Sequence, residues 1–176
     1  MIATTQPSVV RTVSLSAVAV VATLAFPYLV HLLPAGQGPQ VGATYLPIYW
    51  APLLAALLFG FVPALAAAVL GPIVNHWVTG SPPEFLLTSM TLELVSFVVI
   101  LRLLLTLSPR NVVAAPLAYF ASRVLVTAAQ HLTTLTAPDT WTGLGSSLQT
   151  ALPGIAILTV VGAVLVWWAG RGSTSA

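Results

Sequence analysis

Proline, glycine and a few charges cut this chain into apolar runs of bilayer length, and that pattern restricts the fold more than any other feature. A membrane-spanning helix needs roughly 17–25 mostly apolar residues, because the hydrocarbon core is about 30 Å thick and each residue rises 1.5 Å. The breaks give six runs: Thr12–Leu33, Tyr45–Phe59, Pro63–Val78, Glu84–Leu107, Val112–Leu135 and Leu148–Ala169. Tyr45–Val78 is too long for one helix and contains Gly60 and Pro63, so it reads as two short helices joined by a tight turn. Pro34–Thr44, Thr79–Pro83 and Thr136–Ser147 read as loops. Composition points the same way. Charged residues make up 5% of the chain, against about 25% in an ordinary soluble domain, and the mean hydropathy is +1.02. A soluble enzyme, a nucleic-acid binder and a disordered chain are excluded on these grounds. The pI of about 9.5 reflects five scattered Arg against three acids, not a phosphate-binding stripe. Without Cys there is no disulfide and no thiolate metal site.

The Arg positions fix an expected topology. With the N-terminus in the cytoplasm, Arg11, Arg102, Arg110 and Arg171 all fall on the inner side, as the positive-inside rule asks. Reading Tyr45–Val78 as one span would move three of them outside. The expected fold is therefore all-α: a polytopic six-transmembrane-helix bundle, one domain over 1–176, with both termini cytoplasmic in a prokaryotic cell membrane. Val41-Gly42-Ala43 only loosely resembles a signal cleavage site, and the first run is too long for a signal peptide. Trp167 and Trp168 read as an interfacial belt contacting lipid.

Charges within a bilayer are costly, at about 2.5–3.5 kcal/mol near a helix centre on insertion scales. Glu93 on the fourth span and Arg123 on the fifth lie at depths of roughly 14 and 20 Å from the outer surface at 1.5 Å per residue. Two readings stay open for them: a buried ion pair that fixes helix packing, or the polar floor of a ligand cavity. Tyr119, Arg123, Thr127, Gln130 and Thr134 share one face of the fifth span, with His131 at its border. Such a stripe must face protein or a water-filled cavity. Trp50, Asn75, His76, Glu84 and Trp141 add polar and aromatic groups to the outer half, so capture from outside is expected there. His31, His76 and His131 lie on three separate helices without motif-like spacing, and no metal site is expected from them. Gly60, Ala64 and Ala68 on the third span, and Ser16, Ala19 and Thr23 on the first, form small-residue stripes suited to close helix packing or to docking of a partner. No HExxH, GxSxG or Walker A sequence occurs, so the chain is expected to be no enzyme and to bind no nucleotide or other cofactor itself.

The segment from Tyr45 to Leu94 resembles the substrate-binding S components of energy-coupling factor (ECF) vitamin transporters. The resemblance is carried by Leu46-Pro47, by Ala51 to Gly60, by Gly71-Pro72-Ile73-Val74-Asn75-His76, by Thr79-Gly80-Ser81-Pro82-Pro83 and by Met90-Thr91-Leu92-Glu93-Leu94. It implies a six-helix bundle that binds a water-soluble vitamin or precursor on the outer side. It also implies a transmembrane coupling subunit as partner and two ATPase subunits that hydrolyse ATP. Family substrate contacts come from outer helix ends and from the loops after helices 1, 3 and 5. The family's Ala-xxx-Ala docking motif has its nearest counterpart in Ala19-xxx-Thr23, and Gly60-Phe61-Val62-Pro63 stands where Gly-Pro is common. The Trp set suggests a heterocyclic ligand. A non-transporting six-helix scaffold of the rod-shape-determining MreD type is the competing expectation.

Overall fold

A computed structural model describes residues 8–32, 41–133 and 140–171, and among these residues every regular element is helical. The elements are α1 (Val9–His31), α2 (Val41–Tyr45), α3 (Pro47–Leu58), α4 (Phe61–Thr79), α5 (Glu84–Leu107), α6 (Ala114–Thr133), α7 (Thr140–Thr150) and α8 (Leu152–Arg171). α1 begins three residues earlier than the hydropathy suggests, because the Ser8 hydroxyl accepts a hydrogen bond from the Arg11 amide at 3.3 Å and caps the helix. It then continues through Pro27 to His31.

The expected division after Phe59 is present. Gly60 has φ 101°, a left-handed conformation open to glycine, and α4 starts at the next residue. α4 ends at Gly80, φ 74°, whose amide donates to the His76 carbonyl at 2.8 Å. Two breaks depart from the expected spans. Residues 41–44, expected as loop, are helical as part of Val41–Tyr45, and Leu46 interrupts the second span with φ 53°, which costs a side-chain-bearing residue about 1–2 kcal/mol. Pro47 then opens α3, where its missing amide hydrogen has no cost. Likewise residues 140–147, expected as loop, are helical as part of Thr140–Thr150, and α7 and α8 meet at a bend of 58°.

α1, α2 with α3, α4 and α5 are long and apolar enough to cross a membrane, and the bent α7–α8 pair makes a fifth candidate. α6 has the length but carries Arg123, Gln130 and His131, which lower its hydropathy. Valines 13, 18 and 21 on α1, Leu92, Val99 and Leu103 on α5, and Val160 and Val164 on α8 stand exposed. So much exposed apolar surface suits lipid and not water. The chain is a membrane protein.

The core is built from Leu53, Ala64, Ala67, Ala68, Leu94, Phe97, Leu101, Ala118, Tyr119 and Leu158, all essentially fully buried. α4 lies between α1 and α5, α6 packs against α5 and α8, and α3 touches α1, α4, α5 and α8. The small-residue stripes close the α1–α4 contact. Ala19, Thr23, Ala64 and Ala68 are buried, and a β-carbon on Gly71 would come within 2.5 Å of Thr23 Cγ2. This corrects the docking expectation: those four residues pack against this chain's own helices, while Ser16 and Gly60 are half-buried beside them.

Candidate functional site

A cavity of about 670 Å³ opens at the end of the bundle where α1 and α4 finish and α5 begins. Its walls come from six helices and one loop: Pro27 and His31 of α1, Gly42 and Ala43 of α2, Tyr49 of α3, Asn75 of α4, Ser89 and Glu93 of α5, Ser146 and Thr150 of α7, and the turn Ser81-Pro82-Pro83, with α6 supplying the floor. Helical breaks at Leu46 and Ala151 leave α2 and α7 as short segments beside this opening.

The floor is a polar knot in an apolar bundle. Antiparallel packing of α5 and α6 brings Arg123 to Glu93, with Nη1 donating to Oε2 at 2.7 Å. The other carboxylate oxygen accepts from the Tyr49 hydroxyl. Tyr49 is held by two rings set edge-on to it, Phe97 at 5.3 Å and Tyr119 at 5.2 Å between centroids. The knot therefore joins α3, α5 and α6, three elements far apart in the chain. In low dielectric a charge-assisted arrangement of this kind keeps its geometry, since breaking either partner would leave a buried charge unpaired.

Of the expected site residues, Asn75, Glu93, Tyr119 and Arg123 line the cavity. The others among the described side chains lie elsewhere. Trp50 packs against Phe26 with ring centroids 5.7 Å apart, and its indole donates to the Tyr45 carbonyl, bridging the break at Leu46. His76 Nδ1–H donates to the Pro82 carbonyl at 2.7 Å, so this side chain positions the turn that lines the cavity instead of lining it. The Ser81 amide donates to the Thr79 hydroxyl at 3.2 Å and ties the same turn to α4. Glu84 is exposed at the first residue of α5, where its carboxylate complements the helix dipole. The polar face of α6 divides: Tyr119 and Arg123 reach the cavity, Thr127 is buried away from it, Gln130 is exposed and His131 is half-buried. Thr134, residues 33–40, residues 134–139 and the Trp141 side chain lie outside the described residues, although the Trp141 backbone belongs to α7.

Tyr49 is the central residue the sequence reading missed. It sits in an unbroken apolar run, and its meaning depends on Glu93, 44 residues away. Ser146 and Ser147 were hidden by the expectation of a loop, and Thr150 stood near the start of the expected sixth span without being singled out. Their spacing of three and four residues was the available sign of a helical face. Among the described residues no group of three or more His, Cys, Asp or Glu side chains is arranged to hold a metal ion. Comparison with protein-family models, with curated proteins and with solved structures finds no match to this chain.

Proposed function

We propose that this chain is the substrate-capture subunit of an ECF-type importer. In this reading it binds a water-soluble vitamin or precursor from outside a prokaryotic cytoplasmic membrane and delivers it with a coupling subunit and two ATPases. The observation that carries the capture reading is the cavity: about 670 Å³, with a polar floor and largely apolar walls that carry a few polar side chains. Pockets that bury small molecules are about 300–1,000 Å³ and combine an apolar shell with a few fixed polar groups. A protein whose polar residues served only to hold helices together would have no need to leave such a space between them.

The transport partners come from the resemblance in Tyr45–Leu94. The six spans are then α1, α2–α3, α4, α5, α6 and α7–α8, with both termini cytoplasmic and the cavity open to the outside. α6 is tolerated as a span because its charged residue is paired and faces the cavity. With the Ala19–Thr23 and Ala64–Ala68 stripes buried against each other, a coupling subunit would dock on a different outward face. Among the described residues the cavity's aromatic surface is Tyr49 and Tyr119, while Trp50 packs against Phe26. Equilibrium dialysis of detergent-purified protein against a panel of labelled water-soluble vitamins and their precursors tests the reading. Stoichiometric binding of one compound is expected; a protein that binds none of them points instead to the MreD-type scaffold.

A further inference from the structure

The two charged residues of the floor do not face the cavity equally. The Glu93 side chain is 6% exposed and that of Arg123 is 30% exposed. Both oxygens of Glu93 are engaged, one by the Tyr49 hydroxyl and one by Arg123 Nη1. Arg123 is engaged far less fully. A guanidinium carries five donor hydrogens. Among the described residues the contact with Glu93 is its one hydrogen bond, and Nε is buried with no acceptor. Tyr119 lies one turn before Arg123 on the same face of α6 and also lines the cavity. The floor thus offers a ligand hydrogen-bond donors and a positive charge, while its carboxylate is sheathed.

Ligand chemistry follows from this asymmetry. A planar guanidinium can hold a carboxylate in a two-point fork through the donors that Glu93 leaves free. With Arg123 already paired to Glu93 the floor is neutral overall, so a ligand's negative charge is held by the remaining guanidinium donors. A phosphate, with about −1.5 to −2 charges, would leave more charge unbalanced away from water than a carboxylate does. The chain has no Lys, and Arg123 is the sole Arg among the cavity-lining residues. A cationic ligand would have to displace both Tyr49 and Arg123 to reach Glu93. The walls supply neutral partners in Asn75, Ser89, Ser146 and Thr150.

We infer that the captured molecule carries a single carboxylate, which binds on Arg123, with Glu93 and Tyr49 as positioning residues that hold the guanidinium in place. The inference rests on the capture reading and adds a charge class to it. To test it, a hydrophilic extract of a rich growth medium is divided, and one half has its carboxyl groups capped as methylamides. Detergent-purified protein is equilibrated with each half, and bound small molecules are identified by mass spectrometry. The expected result is one compound bound stoichiometrically from the untreated half and lost from the capped half. A compound bound equally from both halves overturns the carboxylate and leaves capture standing. No bound compound from either half removes both.

Variants separate the two charged residues. Arg123→Gln is expected to lower affinity for the identified compound by about 10- to 100-fold, the range for one charged hydrogen-bonding group. Glu93→Gln keeps an acceptor for Tyr49 but loses the charge that holds the guanidinium in place, so affinity should fall, by less than in Arg123→Gln. Loss of binding in Glu93→Gln with binding intact in Arg123→Gln, both remaining monodisperse, would overturn the assignment. If Arg123→Gln does not fold, the capped-extract result on the wild-type protein decides alone.

Discussion

The α1–α4 contact and the α5–α6 contact both carry polar or small residues where a lipid-facing helix would carry neither, yet they do opposite things with them. Between α1 and α4, Ala19, Thr23, Ala64, Ala68 and Gly71 leave no space. The Thr23 hydroxyl donates to its own helix at Ala19 O, 2.9 Å away, and the side chain fills the space against Gly71 of α4. Between α5 and α6, Glu93 and Arg123 reach across the contact, and the space beside them is the cavity. Small residues bring backbones together and remove room, whereas large polar residues paired across helices can border a site that stays open. A polar residue in a membrane helix is therefore informative only with the volume beside it.

The sharpest break in that comparison is Arg123→Ala. It strands Glu93 away from water and is expected to cost about 3–5 kcal/mol, seen as a lowered thermal midpoint in detergent. Pairing it with Glu93→Leu should recover most of that loss; no recovery would mean that the arginine stem, not the charge, supports the bundle. Gly71→Ala probes the other contact. Its β-carbon would meet Thr23 Cγ2 at 2.5 Å, so about 1–3 kcal/mol of destabilisation is expected, with ligand affinity unchanged. Adding Thr23→Ala should relieve part of it, and strict additivity in the double variant would show that the two residues do not press on each other. Tyr49→Phe removes the second donor to Glu93 and should cost about 1–2 kcal/mol while weakening ligand binding less than Arg123→Gln does. Gln130→Ala is the smallest change. This exposed residue lies outside the described cavity lining, so affinity should not change. A measurable drop in affinity would place the ligand further along α6 than the cavity does.

Much of the bundle was legible from local chemistry. Gly60 marked the end of α3 because a left-handed turn there leaves few alternatives, and Thr79-Gly80 marked the end of α4 for the same reason. Glu93 and Arg123 were recognisable as partners because two isolated charges at similar depth on adjacent spans have nowhere else to go. What stayed hidden depends on tertiary contacts. Leu46 has no residue signature for φ 53°; its conformation goes with Gly154 of α8, where a β-carbon would sit 2.7 Å from Leu46 Cγ. Trp50 looked like a ligand-facing ring, but an indole also finds a partner in the carbonyl of a broken helix, and Tyr45 supplies one. The regular stripe on α6 extended further than the site, because a periodic face fixes direction around a helix but not depth along it.

The most direct test of the central claim, that the space beside the Glu93–Arg123 pair is a capture site, is native mass spectrometry of two proteins. The wild-type protein and a Ser89→Trp variant, whose indole would fill the cavity from α5, are each purified in detergent and equilibrated with the same hydrophilic extract. One small-molecule adduct per chain is expected on the wild-type protein and none on the variant, at equal thermal stability. An adduct that survives Ser89→Trp, or a wild-type protein that carries none, would contradict that claim.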